Sequence, residues 1–141
     1  MKAFLFFFVV TIFPFVSNAQ KPPKNAKQII LTVDSTKSQE TTVKEFVSYL
    51  NDRSYEIDNY NKDLGLVTTK GKEVKFWQLR LSVFIENNKI KITGTAFTSM
   101  LGIESYWPVE NKGSLGSVFV HTWRETNETA LNFPHSMIEY R

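Results

Sequence analysis

Residues able to do acid–base, nucleophilic or metal chemistry are sparse in this chain of 141 residues. His121 and His135 are the only histidines. They stand fourteen apart with no third ligand at a metal-binding spacing, so they predict helix-face or surface positions and no metal site. There is no cysteine, which excludes Cys-based zinc sites, thiol catalysis, disulfides and the lipidated Cys of a lipoprotein anchor. Asp34, Asp52, Asp58, Asp63, Glu86 and Glu104 fall in or beside expected turns, and no pair has a spacing that fixes an acid and base couple on one face. No Gly-x-Ser-x-Gly elbow is present, although a catalytic triad can assemble in space from distant residues. Gly113-Ser114-Leu115-Gly116 beside Lys112 hints at an anion-cradling loop at a helix start, but it lacks the full phosphate-loop pattern and reads as a turn. Asn127-Glu128-Thr129 matches a glycosylation sequon by pattern only. No catalytic residue, metal ligand or cofactor is therefore expected.

Aromatic residues in an irregular stretch say more. Met100, Ile103, Tyr106 and Trp107 lie between Thr98 and Gly116, where Gly102, Pro108, Gly113 and Gly116 interrupt any regular period. Read as a long loop, this stretch is the candidate binding loop, because loop aromatics are common anchors of recognition surfaces. The bland alternative has Trp107 folding back to cap a sheet edge. A second candidate surface is a sheet face carrying Gln78, Arg80, Lys91, Thr93 and Thr95.

The elements that must position these residues follow from period and turn chemistry. Met1 to Ala19 reads as a secretory signal peptide: Lys2 at the start, an apolar run from Phe4 to Phe15, then Ser17-Asn18-Ala19 as a cleavage site. The mature chain then has 122 residues, one domain in size, with a net charge of +2 once Lys2 is removed from the +3 of the whole. That near-neutral balance gives no warrant for nucleic-acid binding. Residues 20–27 read as a flexible, proline-containing lead-in, and 28–141 as a single domain.

Ile29, Leu31 and Val33 alternate as a strand. Thr42 and Glu45 have the Thr-x-x-Glu spacing of a capped helix start, followed by the apolar stripe Val43, Phe46, Val47 and Leu50. Tyr55 and Ile57 begin a second strand. Asn59–Asp63 is a turn-rich break before a third strand, 64–69, and Gly71-Lys72 is the next turn. Trp77 to Phe97 predicts a hairpin turning at Asn87-Asn88, with Leu79, Leu81, Val83, Ile85, Ile90, Ile92, Gly94 and Ala96 on one face. From Ser117 to Arg141, Phe119, Trp123, Thr126, Ala130 and Phe133 step as a helix, Met137 and Tyr140 keep the step, and Pro134 predicts a kink or two short helices.

The resulting order, β-α-β-β-β-β-(loop)-α, predicts an α+β fold: an antiparallel sheet with helices on one face and the other face partly wet. Thr42 to Leu50, Tyr55 to Ile57, Gly65-Leu66-Val67-Thr68-Thr69 and Trp77 to Phe97 together resemble small exported bacterial proteins of unknown function with a TATA-binding-protein-like, helix-grip-like fold. That resemblance covers roughly residues 28–97 and implies no catalytic residue. The sequence thus favours an exported, periplasmic or secreted, non-catalytic module that binds another envelope protein or component, with no transmembrane segment after signal removal and no lipid anchor. A small secreted hydrolase with a spatially assembled site is the alternative. A pocket gathering His121 or His135 with a carboxylate and a hydroxyl would favour the hydrolase; an open apolar patch around Trp107 would favour binding.

Overall fold

A computed structural model describes residues 21–100 and 102–141; the signal-peptide reading of residues 1–19 lies outside them. The fold is α+β, with an antiparallel sheet and two helices among the described residues. The elements are β1 (Gln28–Thr32), α1 (Gln39–Asp52), β2 (Ile57–Asn61), β3 (Leu66–Thr69), β4 (Lys72–Val74), β5 (Trp77–Glu86), β6 (Lys89–Met100), β7 (Ile103–Pro108), α2 (Val118–Leu131) and β8 (Met137–Tyr140).

The β5–β6 hairpin is the spine of the sheet. Its turn is Asn87-Asn88, and Asn87 takes a left-handed φ of 53° that asparagine tolerates. Along one side of the spine run β3 and then β4; along the other run β1 and then β7, end to end. Beyond these, β2 pairs with β3 and β8 pairs with β1. Register places Leu79 opposite Ala96, Leu81 opposite Gly94, Val83 opposite Ile92 and Ile85 opposite Ile90, all on the face that both helices cover. Gly94 is required there: a Cβ would stand 2.8 Å from a Val109 methyl, and Val109 N–H donates to the Gly94 carbonyl. Gly65 is constrained twice over, by a φ of +64° and by the Ile85 carbonyl oxygen, which a Cβ would meet at 1.9 Å.

The stripe Val43, Phe46 and Leu50 of α1 is fully buried on this core, as its helical spacing predicts. Phe46 meets Phe133 edge-on with centroids 4.8 Å apart, which joins α1 to the end of α2. From α2, Trp123, Thr126 and Ala130 are buried. Its buried threonines are tolerated because Thr122, Thr126 and Thr129 donate their hydroxyls to carbonyls one turn back, at 2.6–2.8 Å.

Several local expectations change. The cap of α1 is Ser38, not Thr42: Ser38 is extended and its Oγ accepts from Thr41 N–H, while Thr42 is buried and donates to the Ser38 carbonyl. Glu45 faces Lys37 instead of reaching back to the helix start. Tyr55 does not begin β2; it is buried in the turn after α1, its N–H donating to the Leu50 carbonyl. Asn59–Asn61 belongs to β2, and the turn follows it, with Asn61 Oδ1 accepting from the N–H groups of Asp63 and Leu64. Lys72 starts β4.

The stretch 98–116 is not one irregular loop: its first half is mostly strand, and 109–116 lacks regular structure. β6 runs on to Met100, Gly102 turns the chain with a φ of +78°, and β7 returns along β6. Past Leu131 the helix gives way to strand, because Pro134 cannot continue it and β1 offers an unpaired edge. Met137 and Tyr140 therefore lie on β8 and not on a helix face. The lead-in is likewise tied down: Asn111 Nδ2 donates to the carbonyls of Pro22 and Pro23, Asn25 N–H donates to Asn111, and Ala26 is buried.

Candidate functional site

Alternation along the strands leaves a second sheet face that no described helix covers. By register, its middle row is polar: Asn59, Thr68, Ser82, Thr93 and Gln28 lie side by side across five strands. On one side of this row Phe84 lies beside Lys91, whose ammonium sits 5.3 Å from the ring centroid, and Ile30 and Glu139 follow across β1 and β8. On the other side, Arg80 lies 5.4 Å from the Phe97 ring centroid, and Phe97 packs on Tyr106 with centroids 5.7 Å apart. The Tyr106 hydroxyl donates to the Glu104 carboxylate, which fixes the ring and raises the phenol pKa. Phe84 and Phe97 face pairs six residues apart along the strands, so the two aromatic–cation pairs are separated by roughly 20 Å. Gln78, Arg80, Lys91, Thr93 and Thr95 all belong to this face, as their alternation predicts.

The residues Met100, Ile103, Tyr106 and Trp107 do not form one recognition loop. They lie on the β6–β7 hairpin, and strand alternation splits them. Tyr106 is on the open face and 53% exposed, whereas Trp107 pairs with Ala96, points to the helix side and is half-buried. Ile103, 71% exposed, stands at the hairpin turn opposite Met100. The exposed aromatic patch therefore centres on Tyr106 and Phe97 instead of Trp107. The sequence signal for it was slight: Gly102 marks a turn, but Glu104, Ser105, Tyr106 and Trp107 do not alternate in type.

On the helix side, a cavity of about 490 Å³ opens between α1, the chain after β1 and the α2–β8 connection. It gathers His135 with Asp34, Glu45, Ser136 and the Tyr49 ring. Proximity is not matched by hydrogen bonding. The Ser136 hydroxyl donates to the Thr32 carbonyl, Thr42 to Ser38, and Tyr49 to Thr129. His135 Nδ1 lies 2.7 Å from the Phe133 carbonyl; a carbonyl only accepts, so Nδ1 carries the hydrogen and no carboxylate orients the ring. Both Glu45 oxygens take the Lys37 ammonium. Asp34 is held below the usual carboxylate range by the backbone and hydroxyl bonds of Thr36. The lining hydroxyls of Thr42, Tyr49 and Ser136 all donate to backbone carbonyls and none to a base, which nucleophilic catalysis requires.

His121 lies elsewhere, stacked on Trp77 at 5.9 Å, so the two histidines are not brought together. No cluster of three or more potential metal ligands occurs among the described residues. The Asn127 sequon is inside α2, where Asn127 Oδ1 accepts from the Tyr140 hydroxyl. No described helix is long and apolar enough to cross a membrane.

Comparisons with family models, curated proteins and solved structures found no match to the chain.

Proposed function

We propose that this chain is an exported, non-catalytic binding domain that engages another envelope protein through its open sheet face. One observation carries the reading: a sheet layered by helices on one side only, whose bare side presents Phe84, Phe97 and Tyr106 with Lys91 and Arg80 set over two of the rings. Aromatics and arginine are the residue types that dominate recognition hot spots, and a flat polar row between two such anchors suits a protein partner. The signal-peptide pattern of residues 1–19 supports export. The hydrolase alternative would sit in the cavity at His135, and the bonding of Ser136 and His135 there weighs against it.

A photo-reactive residue at Thr95, on the open face, tests the reading against one at Lys44 on exposed α1, each in protein exported by its native host. A specific cross-linked partner from position 95 alone, lost in a Phe97→Ala/Tyr106→Ala variant of unchanged Tm, is the expected result. Equal cross-linking from both positions, or none, would refute the use of this face.

A further inference from the structure

Four cations line one cleft on the helix side, apart from Arg80 and Lys91 of the open sheet face. Clamping of Pro22 and Pro23 by Asn111 lays the lead-in along the helix side, opening a cleft of about 540 Å³ beside α2. Lys21, Lys24, Lys112 and Arg124 line it, with Asn127 and the edge of Trp123, and no carboxylate is among the lining residues. Trp123, Arg124 and Asn127 share one helical face by their three- and four-residue steps. The Asn127 carbonyl oxygen is taken by Tyr140, which leaves its amide group as a donor.

Lys112 is partly neutralised by Glu110, 2.6 Å away, which Lys27 also holds. Lys21, Lys24 and Arg124 have no ion-pair partner among the described residues, although Arg124 also borders a smaller hollow that contains Glu73, Glu125 and Glu128. The cations come from the lead-in, from the chain between β7 and α2, and from α2. The glycines at 113 and 116 only turn the chain into the Ser117 cap.

We propose that this cleft binds a phosphate-bearing anion of more than one negative charge. A single carboxylate would leave most of the donors unpaired, whereas phosphate offers several acceptor oxygens to lysine, guanidinium and amide groups together. The size of the cleft leaves room for an organic body beside the phosphate. The proposal does not rest on the open sheet face, and either can fail alone.

The test is a pyrophosphate titration of the exported protein, tagged at the C-terminus, followed by amide shifts at low salt. Saturable shifts around Asn111–Gly113 and Val120–Asn127 are expected, weakening with added NaCl and about tenfold weaker in Arg124→Gln and in Lys24→Gln. Lys89→Gln, at the far end of the sheet, should bind like the parent. Absence of shifts at millimolar pyrophosphate overturns the proposal, and so does an equal loss in Lys89→Gln, which would mean diffuse attraction only. Co-sedimentation with vesicles containing phosphatidic acid, whose headgroup is a phosphomonoester, but not with phosphatidylcholine vesicles, lost in Arg124→Gln, assigns the phosphate to a lipid headgroup. Pyrophosphate binding without vesicle binding assigns it to a soluble phosphate ester.

Discussion

Replacing Glu125 with Gln should lower the stability of the domain by about 2 kcal/mol, because one carboxylate oxygen ties together three elements. Glu125 Oε1 lies 2.8 Å from Lys72 Nζ on β4, 3.1 Å from the hydroxyl of buried Tyr55, and 3.9 Å from Arg53 at the end of α1. Lys72 is further held over the Tyr55 ring at 4.3 Å and donates to the Arg53 carbonyl. Charge-assisted bonds are worth ~1.5–3 kcal/mol each, but Glu125 is 20% and Lys72 23% exposed, so water replaces part of what is lost and the total falls near the lower end. For a domain of this length that is roughly an 8 °C drop in Tm.

The pH dependence of this cluster is equally defined. Burial acts to raise the Glu125 pKa, but the hydrogen bond and charge of Lys72, with Tyr55 and Arg53, outweigh it and hold the value below the ordinary 4.5. A depressed folded-state pKa contributes stability that is complete above the unfolded value and fades as pH falls through the folded one. Urea melts of parent and Glu125→Gln should therefore differ by the full amount at neutral pH and converge in acid below pH ~4. A double-mutant cycle with Lys72→Met should give a coupling of about 1 kcal/mol or more. A difference that persists undiminished in acid, or a coupling near zero, would refute the assignment of the loss to this ion pair.

Gly65→Ala should cost about 3 kcal/mol in chemical denaturation, since it meets both a positive φ and the Ile85 carbonyl; a neutral outcome would contradict the β3–β5 geometry. Ser38→Ala should cost about 1 kcal/mol by thermal melt through loss of the α1 cap, with the N-terminal turn of α1 losing hydrogen-exchange protection. Ile138→Ala should cost ~2–3 kcal/mol while Met137→Ala stays within ~0.5 kcal/mol, because only Ile138 of the pair points into the core; the reverse order would restore a helical tail. Arg80→Ala should leave Tm within a few degrees of the parent yet abolish cross-linking from position 95 if the open face is the recognition surface.

How much was readable beforehand differs by element. The β5–β6 hairpin was legible because a half-buried strand writes its two faces directly into the sequence, and Asn87-Asn88 supplies its turn. The α1 stripe was legible for the same reason at helical period. The cap was misplaced by four residues because only Thr42-x-x-Glu45 has the capping-box spacing, whereas Ser38 caps through its own hydroxyl with no Glu or Gln three residues on. β7 was missed because a short edge strand has weak alternation, and glycine at a hairpin turn looks the same in sequence as glycine in a loop.

The sequence alone determined the alternation that separates a buried from an open sheet face, the apolar stripes of both helices, and the absence of cysteine chemistry. These are local properties, set by backbone period and side-chain type. Tertiary structure decided the rest: that the chain after Pro134 pairs with β1 instead of continuing a helix, that Tyr106 and Trp107 part to opposite faces, and that Lys21 and Lys24 meet Arg124 across a cleft. Each depends on a partner about a hundred residues away, or on a strand edge available for pairing. Short-range pattern carries no record of either, because pairing energy is realised only after the chain has folded back on itself.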